Sequence, residues 1–182
     1  MLGVLASDKL QHPALECLFT TDEETGLTGA FALGKDMLSG DVLINLDSED
    51  DGEIFVGCAG GIDTTATLHY ETKKTPKGYF AFSVSVSGLL GGHSGDDIEK
   101  NRANANKLLN RILWHIHHEM DLRLIKIDGG NLRNAIPREA SASACVPYKE
   151  KENVRVIFNR VVSDIEDENL GVESKMRIEL HS

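Results

Sequence analysis

Residues 79–87 alternate with little interruption: Phe80, Phe82, Val84 and Val86 fall on one side, Ala81, Ser83, Ser85 and Ser87 on the other. A period of two predicts a strand with one buried and one solvated face. Residues 138–146 repeat the pattern, with Ala140, Ala142, Ala144 and Val146 against Ser141, Ser143 and Cys145. Residues 174–180 do so through Met176, Ile178 and Leu180, and residues 62–71 through Ile62, Thr64, Ala66, Leu68 and Tyr70. Residues 122–127 read as a weaker strand. Two stretches switch to helical spacing. Residues 101–120 carry Leu108, Leu109, Ile112, Leu113, Ile116 and Met120 on one stripe, and residues 151–167 carry Val154, Ile157, Phe158, Val161 and Ile165. The order ββαββα with a trailing strand predicts an antiparallel sheet with two helices on one face, an α+β layer.

The style differs before Gly60 and Gly61. Residues 1–10 read as the tail of a helix, broken at His12 and Pro13. Residues 14–21 and 41–46 are short apolar runs, with a helix expected over 28–38 and ended at Ser39 and Gly40. Strand, helix, strand at this spacing predicts a parallel βαβ unit, an α/β fold with a right-handed crossover. Ligands of such sheets sit beyond the carboxyl ends of the strands. Glu23 and Glu24 follow the first strand and Asp47 the second, so the fold would bring three carboxylates to one edge. The expected division is residues 1–60 and residues 61–182.

The length of 182 residues allows one ordinary domain or two small ones, and 41% hydrophobic residues are enough for a core. Acidic side chains outnumber basic ones, 29 to 19, for a net charge of −10. Phosphate binding needs clustered positive charge, so nucleic acid is excluded as an expected partner. No apolar run is long enough to span a membrane, and residues 1–10 have no basic segment typical of a secretory leader. Cys17, Cys58 and Cys145 form no paired motif and lie in apolar stretches, which predicts buried free thiols and a cytoplasmic setting.

Three constellations carry candidate chemistry. In the run Thr21-Asp22-Glu23-Glu24-Thr25-Gly26, adjacent carboxylates repel unless a cation or solvent relieves them. One could bind metal while the other takes a proton from bound water. The alternative is an acidic first turn favoured by the helix dipole. Asp47 strengthens the metal reading but also opens an acidic loop. The second constellation is Gly91-Gly92-His93-Ser94-Gly95. Glycines let its backbone approach a ligand, and the imidazole could donate to an oxyanion; a flexible turn is the other reading. The third, residues 129–137 (GGNLRNAIP), places Arg133 and Asn134 where they could hold a carboxylate, or is simply a tight connection closed by Pro137.

Together with INLDSEDDGEIFVGCAGGID and ANKLL, these phrases resemble the clan of zinc exopeptidases that includes carnosinase, aminoacylase and succinyl-diaminopimelate desuccinylase, and most of all the bacterial aminoacyl-histidine (Xaa-His) dipeptidases. The resemblance runs to about Val146. It implies part of a metallopeptidase catalytic domain followed by part of a lid domain. It implies hydrolysis of Xaa-His dipeptides by water activated between two zinc ions, with manganese or cobalt as substitutes. Glu23 would be the general base, Glu24 a ligand of one metal and Asp47 of the other. His93 would be the lid histidine that reaches across a homodimer to the scissile carbonyl. Asn134 would lie near the substrate carboxylate, with Arg133 a candidate by adjacency.

The family's HxD motif, bridging aspartate and final histidine ligand are absent from these residues. The chain alone is therefore expected to be inactive. Two other readings remain: an acyl-amide hydrolase of desuccinylase or aminoacylase type, and a non-catalytic dimerisation module.

Overall fold

The computed structural model describes residues 1–47, 51–58, 60, 62 and 64–182. They form two compact units, residues 1–67 and 68–182. Residues 48–50 of the acidic stretch, Gly61 of the expected boundary and Asp63 of the expected strand 62–71 lie outside the described residues.

Among its described residues the first unit holds three short helices, α1 (Leu2–Leu5), α2 (Glu23–Gly26) and α3 (Thr28–Phe31). The expected strands at 14–21 and 41–46 do not form, nor does a strand in the described part of 62–71. The expected parallel βαβ unit is therefore not formed by the described residues. Phe19 is 58% exposed and Leu43 83%. A parallel pair is stable only with both faces covered and further strands beside it, and among the described residues nothing in this unit covers these runs. The helix expected over 28–38 stops at Phe31 for a related reason. It contains Gly29 and meets Gly34, each about 1 kcal/mol worse than Ala, and has no packed face to offset them. Local contacts remain: Glu16 accepts from the Ser39 N–H at 2.8 Å and from its hydroxyl. These bonds hold the Glu16 carboxyl below its ordinary value.

The second unit is the α+β layer. Strands β1 (Tyr79–Ser87), β3 (Arg123–Gly129), β5 (Ala140–Pro147) and β6 (Arg177–His181) form an antiparallel sheet in the order β3-β5-β1-β6. Strands β2 (Gly92–His93) and β4 (Ala135–Ile136) form a separate two-stranded ribbon. Helices α4 (Ala105–Glu119) and α5 (Lys151–Glu168) cover one face of the sheet.

The alternation explains the packing. Phe82, Val84 and Val86 of β1 and Ala140, Ala142, Ala144 and Val146 of β5 point into the core. Small alanines on β5 let the helices approach closely. Leu109, Ile112, Leu113 and Ile116 of α4 and Val154, Ile157, Phe158, Val161 and Ile165 of α5 complete it. Each such side chain stabilises by about 1.5–3 kcal/mol when buried. Asn104 starts α4 by accepting the Lys107 N–H at 3.2 Å, which is why the helix begins after residue 101. The edge strand β3 has an irregularity between Leu124 and Lys126, and all seven of its residues are exposed.

Of the three cysteines expected to be buried free thiols, one is buried and two are not. Cys145 is buried, Cys17 half-buried and Cys58 exposed. Cys58 follows Gly57 in a stretch whose described residues, 51–58, form no helix or strand and join no core. Burial pushes the Cys145 thiol up from its ordinary value.

Candidate functional site

The glycine-flanked histidine and the GGNLRNAIP segment meet in the second unit. In the β2–β4 ribbon, Gly92 pairs with Ile136 and His93 with Ala135. The Ser94 N–H donates to the Asn134 carbonyl at 2.9 Å, extending the link by one residue. His93 and Asn134 consequently line one open cleft of about 1050 Å³, together with Asn131, Arg138, Ser85 and Ser141. Arg133 does not line this cleft.

The loop from Leu90 to Ala103 carries His93 and is fastened at several points. Glu173, between α5 and β6, is 5% exposed. Its carboxylate accepts the Leu90 N–H at 2.8 Å and the Ala103 N–H at 2.9 Å, closing both ends of the loop. Within the loop, Asp97 accepts the His93 N–H at 2.8 Å and pairs with Lys100 at 2.6 Å and Arg102 at 3.2 Å. The Lys100 bond, the His93 N–H and the two positive charges hold the Asp97 carboxyl below its ordinary value. Arg102 donates to the Gly91 carbonyl at 2.6 Å, and Arg138 Nε to the Leu89 carbonyl at 3.2 Å. Gly92 has a φ of 147°, and a Cβ there would run into Arg102 and Asp97. Only glycine fits that place.

The His93 side chain is 52% exposed. Its Nδ1 accepts the Gly95 N–H at 3.1 Å. Asp97, Arg102, Arg138 and Glu173 are missed by the sequence reading. Asp97 lies two residues after Gly95 of the histidine segment and Arg138 directly follows Pro137 of the third segment, whereas nothing local marks Arg102 or Glu173.

The carboxylates expected at a metal site stand differently. Glu23 and Glu24 open α2 and are exposed. Asp47 is exposed, and its N–H donates to Asn45 Oδ1 at 3.0 Å. Among the described residues, no three of His, Cys, Asp and Glu come together in a way that could hold a metal ion. The edge that should have gathered them requires the parallel strands, and those do not form. As placed, the described residues do not fit a dinuclear metal site.

Residues 84–173 match the peptidase dimerisation domain family. The chain is 44% identical over 181 residues to the cytosol non-specific dipeptidase of Escherichia coli (strain K12), covering 100% of this chain and 37% of that protein. It is 40% identical to the aminoacylhistidine dipeptidase of Vibrio alginolyticus, whose crystal structure it matches with a TM-score of 0.73 over 99% of this chain and 37% of that one. The chain thus spans little more than a third of these relatives. Among the described residues, no helix is long and apolar enough to cross a membrane.

Proposed function

We propose, from the match of residues 84–173 to the peptidase dimerisation domain family and from the dipeptidase relatives, that the chain is the lid of a metal-dependent dipeptidase together with part of the catalytic domain. The observation that carries this reading is the shared cleft. His93 and Asn134 come from two separated motifs and line one concave surface, joined by the ribbon that holds them. In this reading a dipeptide is the substrate. His93 donates a hydrogen bond to the scissile carbonyl oxygen as charge develops there. Asn134 donates to the substrate carboxylate, with Arg133 the weaker candidate.

Residues 1–60 are proposed as the catalytic part and 61–182 as the lid. Glu23 is proposed as the general base, with Glu24 and Asp47 as metal ligands. Zinc, or manganese or cobalt, is the proposed cofactor. The carboxylates are not gathered among the described residues. The proposed setting is cytoplasmic.

A homodimer through the lid is proposed from the family and from β3. The apolar stripe of α4 is used up in the core, whereas Leu124, Ile125 and Ile127 on the edge strand are 51%, 53% and 53% exposed. An open edge of this kind is a template for pairing with a second copy. A non-catalytic dimerisation module is the second reading, favoured by the absence of a metal cluster among the described residues.

The deciding experiment is hydrolysis by a full-length dipeptidase carrying this segment, on Xaa-His dipeptides, other dipeptides and N-acyl amino acids. Cleavage of dipeptides well above N-acyl amino acids supports the proposal. A preference for N-acyl amino acids points to the desuccinylase or aminoacylase type instead.

A further inference from the structure

The loop bearing His93 is tied down at its ends by Glu173, but the conformation of its middle depends on Asp97. That carboxylate accepts the backbone N–H of His93 at 2.8 Å. It also pairs with Arg102, whose same nitrogen donates to Gly91. The residues on both sides of Gly92 are thereby fixed to one another. In the resulting turn, the Gly95 N–H donates to His93 Nδ1 at 3.1 Å and the Asp96 N–H approaches it at 3.4 Å, while the exposed Asp96 carboxylate stands 3.7 Å from that nitrogen, outside hydrogen-bond distance. A ring nitrogen that accepts a hydrogen bond carries no proton, so the neutral imidazole carries its proton on Nε2.

We propose that Asp97 is a positioning residue for His93: by holding the loop in the turn that caps Nδ1, it locks the imidazole as the Nε2–H tautomer, a neutral donor of fixed identity. The purpose of the lock rests on the reading of His93 as the carbonyl donor. Free imidazole exchanges between two tautomers, and only one would place a proton on the nitrogen left open here. A donor prepared in advance spends none of the reaction's free energy on choosing its tautomer.

The test is nitrogen NMR of the imidazole in the full chain, at a pH where the ring is neutral. The wild type should show an acceptor-like Nδ1 and a proton-bearing Nε2, well separated in shift. In Asp97→Ala that separation should shrink toward the average of two exchanging tautomers. Asp97→Asn keeps an acceptor oxygen for the His93 N–H and should keep most of the separation. A wild-type proton on Nδ1 overturns the proposal. So does an unchanged separation in Asp97→Ala with a native amide spectrum. If Asp97→Ala loses that spectrum, averaged nitrogens in Asp97→Asn count equally against it. The role of His93 is tested separately: undiminished dipeptide hydrolysis by His93→Ala in a full-length enzyme would remove the carbonyl donor and leave the tautomer lock standing.

Discussion

The backbone N–H of Ser94 donates to the carbonyl oxygen of Asn134 at 2.9 Å. This bond ties the histidine loop to the segment proposed to meet the substrate carboxylate, so displacement of either should be felt by the other. The two side chains should nevertheless separate in kinetics. In a full-length dipeptidase, His93→Ala should lower kcat by about 10²–10³ with little change in KM, as for loss of one oxyanion donor. Asn134→Ala should instead raise KM about 3- to 10-fold, the effect of one hydrogen bond of ~1 kcal/mol. Steady-state rates on a single dipeptide measure both, and equal effects on kcat would contradict this division of labour.

Glu173 is a second point at which the loop can be tested. Its carboxylate serves two backbone N–H groups, at Leu90 and Ala103. Glu173→Ala leaves both donors without a partner, at about 1–3 kcal/mol for each that stays buried. Glu173→Gln retains one acceptor oxygen and should lose clearly less. Urea denaturation of the second unit should rank the wild type above Gln and Gln above Ala. An Ala variant as stable as the wild type would show that water replaces the carboxylate freely.

The helices are joined by Arg111 and Glu168, which share hydrogen bonds of 2.6 and 2.9 Å. The Arg111 bond, reinforced by its charge, holds the Glu168 carboxyl below its ordinary value of 4.5. A depressed folded-state value means that the stabilisation is complete above the unfolded value and is lost as pH falls through the folded one. The pair should therefore support the fold at neutral pH and stop doing so in acid below about 4.5. Melting temperatures of wild type and Glu168→Gln should differ at pH 7 and converge in that acid range. A difference that persists unchanged in acid would assign the effect to packing.

Much of the second unit was legible because burial imposes its period on sequence. In β1, Val84 and Val86 alternate with serines, and in α5 the run from Val154 to Ile165 keeps helical spacing. The β2–β4 ribbon was not legible, since strands of two residues have no period to read. Glu173 was invisible for a different reason: its partners are far away in sequence, and nothing local marks a carboxylate that will accept distant N–H groups. The error over residues 14–21 and 41–46 ran the other way. Leu43 and Ile44 have the composition of a buried strand, but composition creates no partner strand.

The free edge of β3 gives a prediction about assembly. Ile127 is 53% exposed on a strand whose outer edge is unpaired among the described residues. Ile127→Lys places a charge where a second copy would bury an aliphatic side chain. Dimer dissociation should strengthen by at least about tenfold, equivalent to ~1.4 kcal/mol. Sedimentation across a concentration series would measure it. A wild-type chain that stays monomeric at all concentrations would sink dimerisation through this edge.

The last prediction concerns the isolated chain and metal. A catalytic zinc site commonly takes three protein ligands and keeps a position for water. Glu24 and Asp47 are the two ligands proposed here, assigned to different ions, and no cluster of three suitable side chains forms among the described residues. One exposed carboxylate competes poorly with water for a hydrated divalent ion. Added zinc or manganese should therefore show no stoichiometric heat of binding at micromolar concentration, and Xaa-His dipeptides should stay intact. Circular dichroism would first establish that α4 and α5 are folded. Glu24→Gln and Asp47→Asn should then change nothing in the isolated chain, while in a full-length dipeptidase each should lower metal content and activity together. A one-to-one metal complex in the isolated chain that is abolished by Glu24→Gln would reveal a site assembled from fewer ligands than zinc chemistry ordinarily needs.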